Sequence, residues 1–342
     1  MSNNSEELSK YLRESGKINE DESVKVVSLD DTFKFNCIRC GKCCSCRSDI
    51  ILSPFDIYQM AKALNTTTKE VITKYCNISY GNNSGLPIIT LASDERNLCP
   101  FLKFSVTEGK FGCSINTHKP GVCIMHPVGV ARKLDLETKE NQGKDFMMVP
   151  ACNNNTADVE HKVRDFIKPY LDNEAEHDMA SELQFEIGRY IDTRKMLNVI
   201  FSPNEEYMEN NLTPEERENI KSIASFSRTM FVGTFLTSVI KTTYTFDTDM
   251  SFMEQVDMVK RGIRLNALNA LCTANLLVGI DFRAKGFPED AEEELKYVSD
   301  TLEKHAEQSD PEEVKKFIKE FIKGIAGTHK ENENSEGEEE ND

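Results

Sequence analysis

The chain has 342 residues and a formal net charge of −17, from 58 acidic and 41 basic side chains. That length can supply a full hydrophobic core without disulfides or metal, and that charge disfavours nonspecific binding to nucleic acid or an anionic membrane. Seven carboxylates and one lysine fall between His329 and Asp342, so the body without this tail still carries about −11 and shows no basic patch.

Residues 1–32 are polar and acidic and read as a flexible N-terminus, with a short helix near Glu6 to Glu14. The opening stretch Met1-Ser2-Asn3-Asn4-Ser5-Glu6-Glu7 lacks the basic and apolar regions of a signal peptide. The longest apolar run, near Met230 to Ile240, is interrupted by Gly233, Thr234, Thr237 and Ser238 and falls short of the roughly 20 apolar residues that span a bilayer. A cytoplasmic setting is expected. There thiols stay reduced, so eleven cysteines point to metal or redox chemistry rather than a disulfide framework.

Thr32 to Phe35 alternates and predicts a short strand leading into Cys37. The run Cys37-Ile38-Arg39-Cys40-Gly41-Lys42-Cys43-Cys44 follows, with Cys46 close behind. Asp49 to Leu52 reads as a brief strand. Ser53-Pro54-Phe55-Asp56 then predicts a helix to about Leu64, with Ser53 as N-cap, Pro54 in the first turn and Asp56 as the capping-box acid. A second helix is expected from Thr67 to about Cys76, a loop over Gly81 to Gly85, and a strand over Pro87 to Leu91.

Cys99, Cys113 and Cys123 come next, each at or near proline, glycine or a strand end. Val128 to Leu136 and Lys144 to Val149 predict two strands joined by a turn at Asn141-Gln142-Gly143, and Pro150-Ala151-Cys152 closes this half. Beyond about Thr156 the periodicity turns helical, with helices expected at 156–171, 174–200, 214–240 (a break at Gly233 being open), 251–279, 289–307 and 311–325. Thr213 to Glu216 and Ser251 to Glu254 both fit the capping box.

The spacing of the cysteines suits a metal. Thiolate is a soft ligand, and Cys37 and Cys40 can hold one ion across a knuckle turn for which Gly41 permits a positive φ. Adjacent Cys43 and Cys44 have diverging side chains in extended chain, so one of them faces a second metal atom or lies behind the first. Against ligation stands the ordinary burial of free thiols in a core, which five cysteines within ten residues make hard to sustain. Cys76 and Cys272, on helices among apolar neighbours, read as core. Cys46 reads as local filler, and His118, His161, His177, His305 and His329 as surface residues.

The layout resembles the CxxCxxCC (YkgJ-type) cysteine-cluster family of zinc- or iron-chelating domains, over residues 33 to 153. The resemblance is carried by Cys37, Cys40, Gly41, Cys43 and Cys44, by Cys99-Pro100-Phe101-Leu102, and by Gly112-Cys113 with Ile115. It continues through Lys119-Pro120 with Cys123, Pro127, and a closing Cys152. Lys119 and Ile124 stand where the family has arginine and His126 where it has an aromatic; His126, three residues from Cys123, is a candidate additional ligand. The resemblance implies metal bound by Cys37, Cys40, Cys43, Cys44, Cys99, Cys113, Cys123 and Cys152. The ion would be zinc or an iron–sulfur cluster, most simply 4Fe–4S, in one centre or two.

A related branch, the flagellin lysine methylases, extends the implication to a cluster-dependent protein-lysine methyltransferase using S-adenosylmethionine. The chain carries no glycine-rich Rossmann loop for that cofactor and no C-x-x-x-C-x-x-C spacing. A third reading is a structural-zinc interaction module whose helical half and acidic tail bind a basic protein partner. The expected fold class is α+β. A cysteine-rich domain of short strands and helices (33–153) is followed by a mostly helical domain (154–326) and an acidic, disordered tail (327–342).

Overall fold

A computed structural model describes residues 5–6, 9–10, 24–45, 50–81, 85–134, 141–149, 158–190, 205–267 and 270. Cys46, Cys152, Cys272, the helices expected at 289–307 and 311–325, and the tail lie outside these residues. The architecture is the α+β mixture that the sequence suggests. Two compact units divide the chain: residues 1–197 with 226–266, and residues 198–225 with 267–342.

The first unit holds small antiparallel sheets. Strand β1 (Lys25–Val27) lies beside β8 (Asn141–Met148), which also pairs with β7 (Val128–Leu134). This corrects the flexible reading of residues 1–32 in part. Val24 and Val27 are buried, and Val24 donates its backbone N–H to buried Ser9 at 2.9 Å. The apolar pair Val26-Val27 is too short to stand out in an acidic stretch. β8 starts at Asn141, where a turn was expected, because a register shift between Arg132 and Leu134 lets β7 stay paired that far.

Strand β2 (Thr32–Lys34) pairs with β9 (Glu160–Lys162), which interrupts the helix expected over 156–171. Only α4 (Val163–Phe166) and α5 (Lys168–Leu171) follow, with Pro169 in the first turn of the second. The β2–β9 pairing ties the segment beyond 153 to the one before Cys37, so the compact unit is not cut at that point.

Helix α1 (Pro54–Leu64) begins on the expected capping box. Ser53 Oγ accepts from Asp56 N, and Ser53 N donates to Asp56 Oδ2 at 2.8 Å. Helix α2 (Thr68–Tyr75) is capped by Thr67 and gives way at Cys76 to a strand absent from the sequence reading, β3 (Cys76–Tyr80). β3 pairs with β4 (Pro87–Leu91), and Leu52 N donates to Ile89 O at 2.8 Å, extending that hairpin on its other side. The hairpin β5 (Leu102–Ser105)–β6 (Lys110–Cys113) stands apart from the other sheets, and α3 (Gly121–Met125) follows it.

Helix α6 (Glu174–Tyr190) packs on α1. Helix α7 (Glu205–Asn211) precedes α8 (Pro214–Tyr244), which starts on the expected Thr213–Glu216 box and is unbroken at Gly233. By length and composition alone α8 could cross a membrane. A core helix passes the same test, and Phe231, Phe235, Leu236, Val239 and Tyr244 are buried. The helical stretch 256–267 begins after the Ser251–Glu254 box, where Ser251 Oγ donates to the Glu254 carboxylate at 2.8 Å.

One core cluster is built from α1, α2, β4, Phe101, Ile115 and Tyr244 of α8, with Leu52, Ile57, Met60 and Ile89 fully buried. Cys76, Cys99, Cys113 and Cys123 pack against it from outside. A second cluster joins Val27, Met125, Val128, Phe146, Val163, Ile167 and Tyr170.

Candidate metal centre

The knuckle is set by backbone conformation. Arg39 has φ 58° and Gly41 φ 78°, both left-handed, and a 3-10 turn follows over Lys42–Cys44. A Cβ on Gly41 would sit 3.2 Å from the Phe111 ring, a tight contact that adds to the preference for glycine set by its positive φ. Cys44 N donates to Gly41 O at 3.0 Å and Ser45 Oγ to the same oxygen at 2.6 Å.

The knuckle is docked on β6. Phe111 N donates to Arg39 O at 3.1 Å, Arg39 Nε donates to Phe111 O at 2.7 Å, and the guanidinium pairs with Glu108 at 2.7 Å. Beyond it, Ser45 bridges to Leu98, and Cys99 N donates to Cys44 O at 2.9 Å. These bonds lay Cys99 against Cys44. The turn after Cys99 closes with Leu102 N donating to Cys99 O at 3.0 Å, and the β5–β6 register sets Leu102 opposite Cys113.

Cys123 sits in the middle of α3. Its N–H donates to Pro120 O at 2.8 Å, and the helix start is held from elsewhere: Gly121 N donates to buried Asp56 Oδ1 at 2.7 Å. A Cβ on Gly121 would meet His177 Cε1 at 3.0 Å and Tyr170 at 3.4 Å. His177 stacks on Tyr170 with ring centroids 4.3 Å apart and meets Phe55 edge-on at 4.9 Å. It is buried, which corrects its assignment as a surface residue. The signal lay in the spacing: His177, Ala180 and Leu183 recur every three residues and share the buried side of α6.

The structure thus gathers Cys43, Cys44, Cys99, Cys113 and Cys123, drawn from four separate stretches. Cys43 Sγ and Cys44 Sγ lie 3.9 Å apart. The Cys44 thiol is pushed up by its hydrogen bond to Cys43, then by burial and by repulsion from Cys43, Cys99 and Cys123. Burial raises Cys99, with Cys113 adding to it. Burial also pushes Cys123 up to about 12, reinforced by Asp56, Cys99 and Cys113. Cys76 is raised to about 12 by burial alone and donates to Val71 O at 3.7 Å, as a core thiol outside the group does.

Cys37 is exposed on the knuckle and Cys40 half-buried beside Gly41, while Cys152 lies outside the described residues. None of the eight described cysteines is in a disulfide. Among the described residues, no three His, Cys, Asp or Glu side chains converge closely enough to grip one ion as they stand. The donor set nonetheless fits a soft metal. Clustered, half-buried thiols resist ionisation when alone, and a cation supplies the charge that turns them into thiolate ligands.

The His126 ring meets Phe35 edge-on at 6.2 Å. His161, also expected at the surface, holds Phe35 O at 2.8 Å through Nε2 and packs on Phe33 and Phe166.

A family model matches residues 36–174; its description is CxxCxxCC, "putative zinc- or iron-chelating domain". No curated protein and no solved structure matches the chain.

Proposed function

We propose, from the match of residues 36–174 to the CxxCxxCC family model, that this region holds zinc or an iron–sulfur cluster through its cysteines. The proposed ligands are drawn from Cys37, Cys40, Cys43, Cys44, Cys99, Cys113, Cys123 and Cys152. The observation that carries this is the gathering of thiols from the knuckle, the Cys99 turn, β6 and α3 around one neighbourhood, with ionisation of Cys44, Cys99 and Cys123 disfavoured until a cation arrives.

Bound metal would supply positive charge and a cross-link between four stretches of chain. The protein's own contribution is to aim the sulfurs. The left-handed knuckle turns Cys40 and Cys43, the Cys44–Cys99 backbone bond joins two stretches, and α3 brings in Cys123. The proposed setting is the reducing cytoplasm, where thiols stay available as metal ligands.

Paired substitutions test the assignment. Cys40→Ser is expected to abolish stoichiometric metal, whereas Cys76→Ser, at a core thiol outside the group, leaves metal content unchanged. Full metal retention in Cys40→Ser would remove the knuckle from the site.

A further inference from the structure

We infer that Asp56 is a positioning residue for Cys123, an inference that rests on the assignment of Cys123 as a metal ligand. Asp56 lies 65 residues before Gly121 and on a different element, yet its carboxylate serves both helix starts. One oxygen accepts from Ser53 N and Ser53 Oγ, each at 2.8 Å, completing the α1 capping box. The other accepts from Gly121 N at 2.7 Å, the first residue of α3.

A five-residue helix has little stability of its own. With Pro120 before it and no side-chain cap of its own, α3 depends on what grips its N-terminus. Asp56 supplies the grip, and His177 and Tyr170 fill the space where a side chain on Gly121 would stand. Cys123 follows Gly121 by two residues, so a small displacement at Asp56 moves its sulfur.

Supporting groups of this kind alter metal affinity by roughly 10–100-fold when changed. The test uses the full chain loaded with zinc(II) alone. Zinc affinity is read by chelator competition, and each cysteine's protection from alkylation by mass spectrometry. In Asp56→Asn one oxygen becomes an amide that cannot accept from both Ser53 and Gly121. Cys123 should become alkylated and zinc affinity fall about tenfold or more, while Cys99 and Cys113 stay protected.

Ser53→Ala weakens the α1 cap but leaves the Gly121 bond, so it should lower Tm with Cys123 still protected. Gly121→Ala displaces the same helix start with Asp56 intact and should expose Cys123 selectively, which keeps the test open if Asp56→Asn does not fold. Unchanged protection of Cys123 in Asp56→Asn overturns the inference, as does equal exposure of Cys123 in Ser53→Ala. Cys123 equally alkylated in zinc-loaded and metal-free wild type overturns its assignment as a ligand, and the inference with it.

Discussion

Gly41 concentrates the demands of the knuckle. Its φ of 78° is one that a Cβ strains, and a Cβ there would also press on the Phe111 ring at 3.2 Å. Gly41→Ala should therefore cost roughly 1–2 kcal/mol, measured by urea unfolding of the metal-loaded chain; a loss below a few tenths would mean that the knuckle is not held against β6 as described. The thiols carry a second expectation. Burial and mutual repulsion hold Cys44, Cys99 and Cys123 protonated at neutral pH, so metal must displace their protons. Apparent zinc affinity should rise steeply from about pH 6 to 8, with protons released on binding. A pH-independent affinity would show that these sulfurs are not the ligands. The knuckle and the grouping of Cys43, Cys44, Cys99, Cys113 and Cys123 were legible because cysteine and glycine have few other reasons to recur at such spacings. The contacts that aim them were not: Arg39 docking on Phe111 and Asp56 reaching Gly121 are meetings of distant residues that leave no local pattern.

At the scale of elements, side-chain caps were the most readable feature. Ser53–Asp56, Thr213–Glu216 and Ser251–Glu254 all form the reciprocal bonds their spacing suggests. β1 and β9 escaped notice because three-residue strands such as Glu160-His161-Lys162 carry too little alternation. Helix α6 shows what its sequence concealed. Asp178 receives Arg132 at 2.6 Å and Lys144 at 2.8 Å, clamping β7 and β8 to the helix beside buried His177. Burial lowers the His177 pKa below its ordinary value of 6.5, against the opposing pull of Asp56 and with Arg132 adding to it. A histidine so depressed takes up its proton on unfolding. Stability is thus complete above about pH 6.5 and is lost as pH falls below it. The acid limb of a stability–pH curve for metal-free protein should shift downward in His177→Phe, which keeps a ring against Tyr170 and Phe55. A limb unmoved by that substitution would place the acid sensitivity elsewhere.

Across the whole molecule, the metal centre is proposed to be a joint between stretches that the backbone already brings together. The first compact unit carries its own apolar core, with Cys99, Cys113 and Cys123 packed along its outer side. The site is therefore built on a folded base rather than in place of one, and a length of 342 residues is in keeping with that. The α+β class could be read from the element types, and the likeness of residues 36–174 to the CxxCxxCC family model from the cysteine pattern. The sheet pairings that tie residues 25–34 to 141–162 could not, since long-range pairing is not written in local periodicity. The central claim, that these thiols hold metal, is tested most directly by the metal content of the full chain purified without oxygen. Zinc or iron at stoichiometric levels, lost on Cys40→Ser, is the predicted result; wild-type protein with neither metal, and with its cysteines freely alkylated, would contradict it.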